Sequence, residues 1–354
     1  MHEEGSFAAA VICSSAKVLA AGIVERQAAR DPDAVGEYGA GAAALTMDTE
    51  VRLGYLAEAL ATDRVALFVE QLRWIKVLCS ARGVHEAAIR VNLECMAEEL
   101  QERLPEPVAE RAVAMVRLAT EEVAAAPAET PSFLEEDGEH VDLARRFLLA
   151  VLETREQEAT RLVLDAFADG ATIFQLYEHV LYRVQKEIGR MWQMDEVTIA
   201  EEHFCTGIVT AIMTIMRSRA EPVVANDRRV ITATVSNETH ALGIVLVSQA
   251  FESNGWTTIS LGANTPATAI ADAARDFGCD VIALSANMVL YVRQTADLIA
   301  SLRAHPATAS IPIIVGGQPF NVVDDLWQVV GADGSASNAM ECPAVAERLL
   351  ASRS

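Results

Sequence analysis

The chain has 354 residues, half of them apolar, and a formal net charge of -22 at pH 7. That length suits two or three domains, each with a core large enough to fold without staples. The acidic excess argues against direct nucleic-acid binding, which needs clustered Lys and Arg. Six cysteines (Cys13, Cys79, Cys95, Cys205, Cys279, Cys342) are scattered without a CxxC pair and read as buried, reduced thiols of a cytoplasmic protein. Met1-His2-Glu3-Glu4 lacks the basic region of a signal peptide. The run Phe7 to Val24 is rich in Ala and Ser and broken by Lys17, which predicts a packed helix rather than a membrane span.

Residues 1–125 read as a helical module of four or five helices, with a break near Asp31-Pro32-Asp33 and a looser Gly-rich piece from Gly36 to Gly41. Apolar positions Val51, Tyr55, Leu56, Ala59 and Leu60, then Leu67, Phe68, Leu72, Ile75 and Leu78, recur at helical spacing, and Gly83 is placed to end that run. A helix pair over 87–104 and 108–123 is separated by Pro105-Glu106-Pro107. His85 reads as a surface or capping histidine. Residues 126–140, with Pro127, Pro131 and the acidic Glu135-Glu136-Asp137, have the composition of a linker. Residues 141–222 then carry four helical stretches with short connections, the requirement for an antiparallel bundle. Trp192 ends its third helix, and Glu202-His203 lie in the fourth; by itself a core tryptophan and an acidic first turn explain them.

From 226 to 354 short apolar strands alternate with helices. The strands are Val230–Val235, Trp256–Leu261, Val281–Ser285, Pro312–Val315 and a short fifth at Gly334-Ser335-Ala336. Helices are predicted over 241–253, 267–277, 289–303, 322–330 and 339–350, with Thr265-Pro266 as an N-cap and first-turn proline. This alternation predicts an α/β fold with a doubly wound, five-stranded parallel sheet in flavodoxin-like order. His240 follows strand one, Ser285 ends strand three, and Gly316-Gly317 follow strand four, so all fall on the carboxyl edge where such sheets bind ligands. Glu238, two residues before His240, can accept a hydrogen bond from one ring nitrogen and leave the other for a metal. No GxGxxG follows strand one, so the dinucleotide fingerprint is absent. The pattern fits a large cofactor ligated through one axial nitrogen; a histidine in a cofactor-free α/β domain is the bland alternative.

Glu238-x-His240-x-x-Gly243, Ser285 and Gly316-Gly317 resemble the cobalamin-binding signature DxHxxG…SxL…GG, with Glu for Asp and Asn287 at the third position of SxL. The resemblance implies that His240 is the lower axial ligand of cobalt. Trp192 followed by Glu202-His203 is similar to the W-x9-EH motif of light-sensing B12 proteins related to the CarH repressor. That resemblance implies adenosylcobalamin held between the bundle and the α/β domain, with the adenosyl group beneath Trp192, Glu202 and His203. Gln193 stands where the repressor type has a second cobalt-capturing histidine.

The implied function is a photoreceptor rather than an enzyme. Signal passes to a partner protein after cobalt–carbon photolysis, the chain forming a homo-oligomer, a dimer, in at least one light state. No DNA-binding segment and no membrane association are expected. The N-terminal module, with the segments Leu53–Leu60 and Trp74-Ile75-Lys76, together with Leu261–Pro266 and Val315–Phe320, resembles the photocobilins, which add biliverdin as a second chromophore. The alternative is a corrinoid methyl carrier of a methyltransferase system.

Overall fold

The computed structural model describes residues 3–38, 41–221 and 223–353; Gly39 and Ala40 of the Gly-rich piece, like Met1 and His2, lie outside the described residues. The chain forms two compact units: Met1–Trp74, Val84–Ala126 and Val223–Ser354 in one, Ile75–Gly83 and Pro127–Pro222 in the other.

The N-terminal module is formed by α1 (Glu3–Arg30), α2 (Pro32–Gly36), α3 (Ala42–Thr62), α4 (Val65–Ala81), α5 (Glu86–Arg103) and α6 (Glu106–Ala124), five long helices and one short, all in the first unit except α4 from Ile75 on, which belongs to the second. The break after α1 falls at Asp31, and Pro32 opens α2 because a first-turn proline costs no hydrogen bond. Ala8, Ile12, Leu19 and Ile23 form the buried stripe of α1, which packs on α3 and α5. By length and hydropathy α1 and the later Ile199–Arg219 could each cross a membrane, but each packs against neighbouring helices of its own unit. A buried polar network ties the module together: Arg52 donates to Asn92 (2.7 Å), whose amide donates to Gln27 (2.8 Å) and Thr49 (3.2 Å). His85 stands at the N-cap of α5 with Nδ1 2.8 Å from Glu37, a mostly exposed capping position.

The first unit also contains β1 (Arg229–Thr234), α12 (Leu242–Ser253), β2 (Thr257–Gly262), α13 (Ala267–Phe277), β3 (Val281–Ser285), α14 (Val292–Ala304), β4 (Ile313–Gly316), α15 (Gln318–Val322), α16 (Leu326–Val329), β5 (Gly334–Ser335) and α17 (Cys342–Ala351). The five strands are parallel in the order β2-β1-β3-β4-β5, the doubly wound order expected. Val230, Val281, Ala283 and Ile314 bury one sheet face with Phe251 and Trp256, whose rings meet edge to face at 5.0 Å. Four expectations shift. The helices predicted from 289 and from 339 each open with a 3-10 turn, Val289–Tyr291 and Ala339–Glu341. The helix predicted over 322–330 is confined to α16, Leu326–Val329, because α15 ends at Val322 and Val323 is extended after it. Pro266, not Thr265, is the N-cap of α13; Thr265 is buried, its amide held by the carbonyl of Thr234.

The second unit holds α7 (Val141–Leu152), α8 (Glu156–Ala168), α9 (Ile173–Leu176), a π-helical segment (Tyr177–Tyr182), α10 (Arg183–Gln193) and α11 (Ile199–Arg219). The stretch from α9 through α10 is one continuous helix with a π segment, so the bundle has four helical rods. Thr198 and Glu201 form a capping box that starts α11. The linker-like residues are pinned by this unit's own side chains: Phe133 N–H donates to Glu187 (2.7 Å), and Arg145 and Arg183 bond the carbonyls of Leu134 and Phe133. Of the cysteines, Cys79, Cys95, Cys205 and Cys342 are buried and Cys279 is half-buried, while Cys13 is exposed, contrary to the expectation that all are buried. Burial pushes the Cys205 and Cys279 thiols up to about 12.

Candidate functional site

The loop after β1 is held by its own hydrogen bonds. Asn237 takes a left-handed conformation (φ 63°), which asparagine tolerates better than most residues. Its amide is held by the Asn264 side chain (2.7 Å), and Thr234 Oγ1 bonds the carbonyl of Glu238 (2.8 Å). This turn drives the Glu238 side chain inward, where it is fully buried, and leaves the His240 side chain 56% exposed. Glu238 Oε1 accepts from His240 Nδ1 at 2.5 Å and from the His240 amide at 2.9 Å. Oε2 accepts from the amides of Asn287 (2.8 Å) and Met288 (3.2 Å). Burial pushes this carboxyl upward, but the hydrogen bonds from His240 and Asn287 outweigh it and hold it below the usual carboxylate range. With Nδ1 committed to Glu238, a metal would be taken by Nε2.

Strand register brings the other residues of the sheet edge alongside. Thr234 pairs with Ser285, and Ser285 with Gly316, so three strand ends lie side by side. Gly243 opens the first turn of α12, where an added Cβ would meet only Ser285 Oγ, at 3.8 Å. Gly317 is required for another reason: at φ 117° an added Cβ would lie 2.0 Å from the carbonyl oxygen of Ala286. His240, Gly243, Ser285 and Gly316-Gly317 therefore share one edge. Asn287 contributes its backbone amide to Glu238.

In the bundle, Trp192 is half-buried at the end of α10. The Arg82 guanidinium lies over its ring at 5.5 Å and donates to the carbonyls of Gln193 (3.0 Å) and Trp192 (3.1 Å). Arg82 thus closes the carboxyl end of α10 and fixes the indole in one step. On α11, Glu202 accepts from His203 Nδ1 (2.6 Å), Thr206 (2.8 Å) and Gln185 (3.1 Å), while the His203 side chain is 73% exposed. Gln193 is buried and its side chain meets the Thr130 hydroxyl at 3.4 Å. Of this unit's imidazoles among the described residues, His203 is the most exposed, and it is oriented by a carboxylate.

Residues 228–343 match the family described as B12 binding domain, and residues 143–217 match a second family of the same description. The chain carries B12-binding domains. Dimethylamine corrinoid protein 1 of Methanosarcina acetivorans is 24% identical over 180 residues, 50% of this chain and 83% of that protein. The HTH-type transcriptional repressor CarH of Myxococcus xanthus is 23% identical over 178 residues, 50% of this chain and 58% of the repressor. Among solved structures, the monomethylamine corrinoid protein of Methanosarcina barkeri aligns with a TM-score of 0.52 at 20% identity, covering 59% of this chain and 99% of that one, a likeness of fold.

The residues of the B12-binding domains fit a corrinoid on their own chemistry. A single imidazole with its inner nitrogen engaged by a buried carboxylate suits one axial bond, and among the described residues no group of three or more His, Cys, Asp and Glu could make a multidentate metal site. Gly243, where an added Cβ would meet only Ser285 Oγ, leaves room for a bulky group to approach the backbone, whereas the Cβ positions of Gly316 and Gly317 are filled by the chain's own carbonyls. Sequence spacing found His240 and its carboxylate. It missed Arg82, Gln185 and the Asn287 and Met288 amides, because each reaches its partner from a different element of the fold; Thr206 lies one turn from Glu202 on α11, an i,i+4 spacing that could have found it.

Proposed function

We propose that this chain is a corrinoid-binding protein in which His240, oriented by Glu238, is the lower ligand of cobalt. The observation that carries this is the fully buried Glu238 carboxylate, which accepts from the ring and amide of His240 through Oε1 and is itself held by the Asn287 and Met288 amides through Oε2; a ring oriented through Nδ1 in this way supports Nε2 as the ligating atom. When bound, a corrinoid supplies a cobalt that can carry a methyl group or a light-labile adenosyl carbon. Two uses of it are each favoured by a specific observation.

The names of the similar proteins favour methyl carriage, since the dimethylamine corrinoid protein matches over 83% of its length. In that use the chain is a carrier serving a methyltransferase partner and not itself the catalyst. This is the reading the comparisons support better.

Light sensing is supported by residues of this chain: Trp192 held by Arg82, and the accessible His203 oriented by Glu202. A bulky, fixed indole and a paired imidazole suit the covering of an adenosyl group better than repeated exposure of cobalt to a partner enzyme. Residues 1–142 lie outside both matched regions and include the helical module where a second chromophore, biliverdin in the photocobilin resemblance, would bind. Output would then pass to a partner protein or through a change in self-association.

One experiment separates the two. The purified chain is loaded with adenosylcobalamin, with and without biliverdin, and its absorption and oligomeric state are followed before and after green light. A light-driven change in both supports sensing. An unchanged oligomer, together with methylation of the reduced corrinoid protein by a methylamine-type methyltransferase, supports carriage. No retention of any corrinoid overturns the whole reading.

A further inference from the structure

The Glu238 carboxylate faces two ways. Through Oε1 it holds His240, and through Oε2 it holds the amides of Asn287 and Met288, which lead directly into the 3-10 turn Val289–Tyr291. An aspartate is one methylene shorter, so a glutamate here gives the reach to clamp the loops after β1 and β3 together. The far side of the same turn is gripped by the N-terminal module. An added Cβ at Gly54 of α3 would lie 3.0 Å from Leu290 Cδ2, so the close approach of helix and turn uses the absence of a side chain. Just past the turn, Arg293 donates both its amide and its Nε to Glu58 of α3, each at 2.8 Å, and Glu58 is only 2% exposed.

We propose that the N-terminal module is a positioning element for the cobalt ligand: α3, through Gly54 and Glu58, fixes the turn Val289–Tyr291, the turn fixes Glu238, and Glu238 fixes His240. The inference rests on the reading of His240 as the lower ligand. It deepens that reading by assigning the module a role in the geometry of the site. Because coupling between two sites is reciprocal, a corrinoid bound at His240 must in turn tighten the seating of α3. The turn is a device by which an event at cobalt and a state of the helical module can inform each other.

The test uses the full chain and hydroxocobalamin as probe. Dissociation constants are measured for the parent, Glu58→Gln, Gly54→Leu and Glu238→Asp, and for the two combinations with Glu238→Asp. Arg64→Ala, which breaks the separate Arg64–Asp325 pair between α3's end and the α/β domain, is the control for general loosening. Expected are losses of about fivefold or more for Glu58→Gln and Gly54→Leu. Each should be less than multiplicative with Glu238→Asp, with a shifted absorption spectrum and little change in Arg64→Ala. Glu58→Gln removes one of the two oxygens that accept from Arg293 with little change of shape, so it carries the test if Gly54→Leu does not fold. Unchanged affinity and spectrum in a folded Glu58→Gln variant, or losses fully multiplicative with that of Glu238→Asp, would overturn the proposal. His240→Ala is measured in parallel: an unaltered spectrum there defeats the ligand assignment itself, whereas an altered spectrum with an inert Glu58→Gln defeats only the coupling.

Discussion

His240 Nδ1 sits 2.5 Å from a Glu238 carboxylate that has no solvent exposure. An exposed imidazole anchored to a buried anion is held in one orientation and one tautomer, the condition for presenting Nε2 to a metal. Replacing His240 with Ala should abolish the spectrum of an imidazole-ligated corrinoid. Glu238→Gln, which keeps the shape but weakens the anchor, should lower corrinoid affinity about 10- to 100-fold, the range for such supporting partners. Equilibrium dialysis with hydroxocobalamin, read with absorption spectra, checks both.

Gly317 is the strictest backbone position on the sheet edge. An alanine there must accept φ 117° and a Cβ 2.0 Å from the Ala286 carbonyl oxygen, so the β3 and β4 loops must part. Gly317→Ala should cost at least about 2 kcal/mol of stability. Thermal unfolding would show this as a lowered midpoint, and corrinoid retention should fall with it; a midpoint equal to the parent's would contradict the account.

Arg82 makes three kinds of contact around Trp192: the ring face, two carbonyls at the end of α10, and Asp195 at 3.5 Å. Arg82→Met keeps much of the aliphatic stem and removes the charge and donors. It should destabilise the bundle by about 1 kcal/mol and increase the mobility of the indole. Fluorescence anisotropy of Trp192, isolated by difference from a Trp192→Phe variant, measures the second effect.

Burial pushes the Glu58 carboxyl up from 4.5 to about 7, only partly opposed by Arg293 and reinforced by Asp297. The folded chain therefore keeps a proton on Glu58 between about 4.5 and about 7 that the unfolded chain has released. By linkage this group's contribution to stability is greatest at the acid end of that window and is lost as the pH rises to about 7. Comparing unfolding midpoints of the parent and Glu58→Gln between pH 4.5 and about 7, the window bounded by the free and buried carboxyl, should show a steeper decline in the parent. Parallel curves would contradict the shift.

The sequence by itself determined the α/β alternation, the strand order β2-β1-β3-β4-β5 and the placing of His240, Ser285 and Gly316-Gly317 on one sheet edge. Those features follow from local periodicity, turn residues and the handedness of crossovers. It also brought Glu238 to His240, a contact across two positions. What only the tertiary structure decided is every contact that closes a long loop. Glu238 reaches Asn287 across 49 positions, Arg82 reaches Trp192 across 110, and Glu58 reaches Arg293 across 235. Each of these residues has an ordinary local setting on a helix or at a loop, so nothing nearby in the chain marks it. Such pairs are selected by packing, which brings a buried carboxylate or a half-buried indole to the donor that satisfies it.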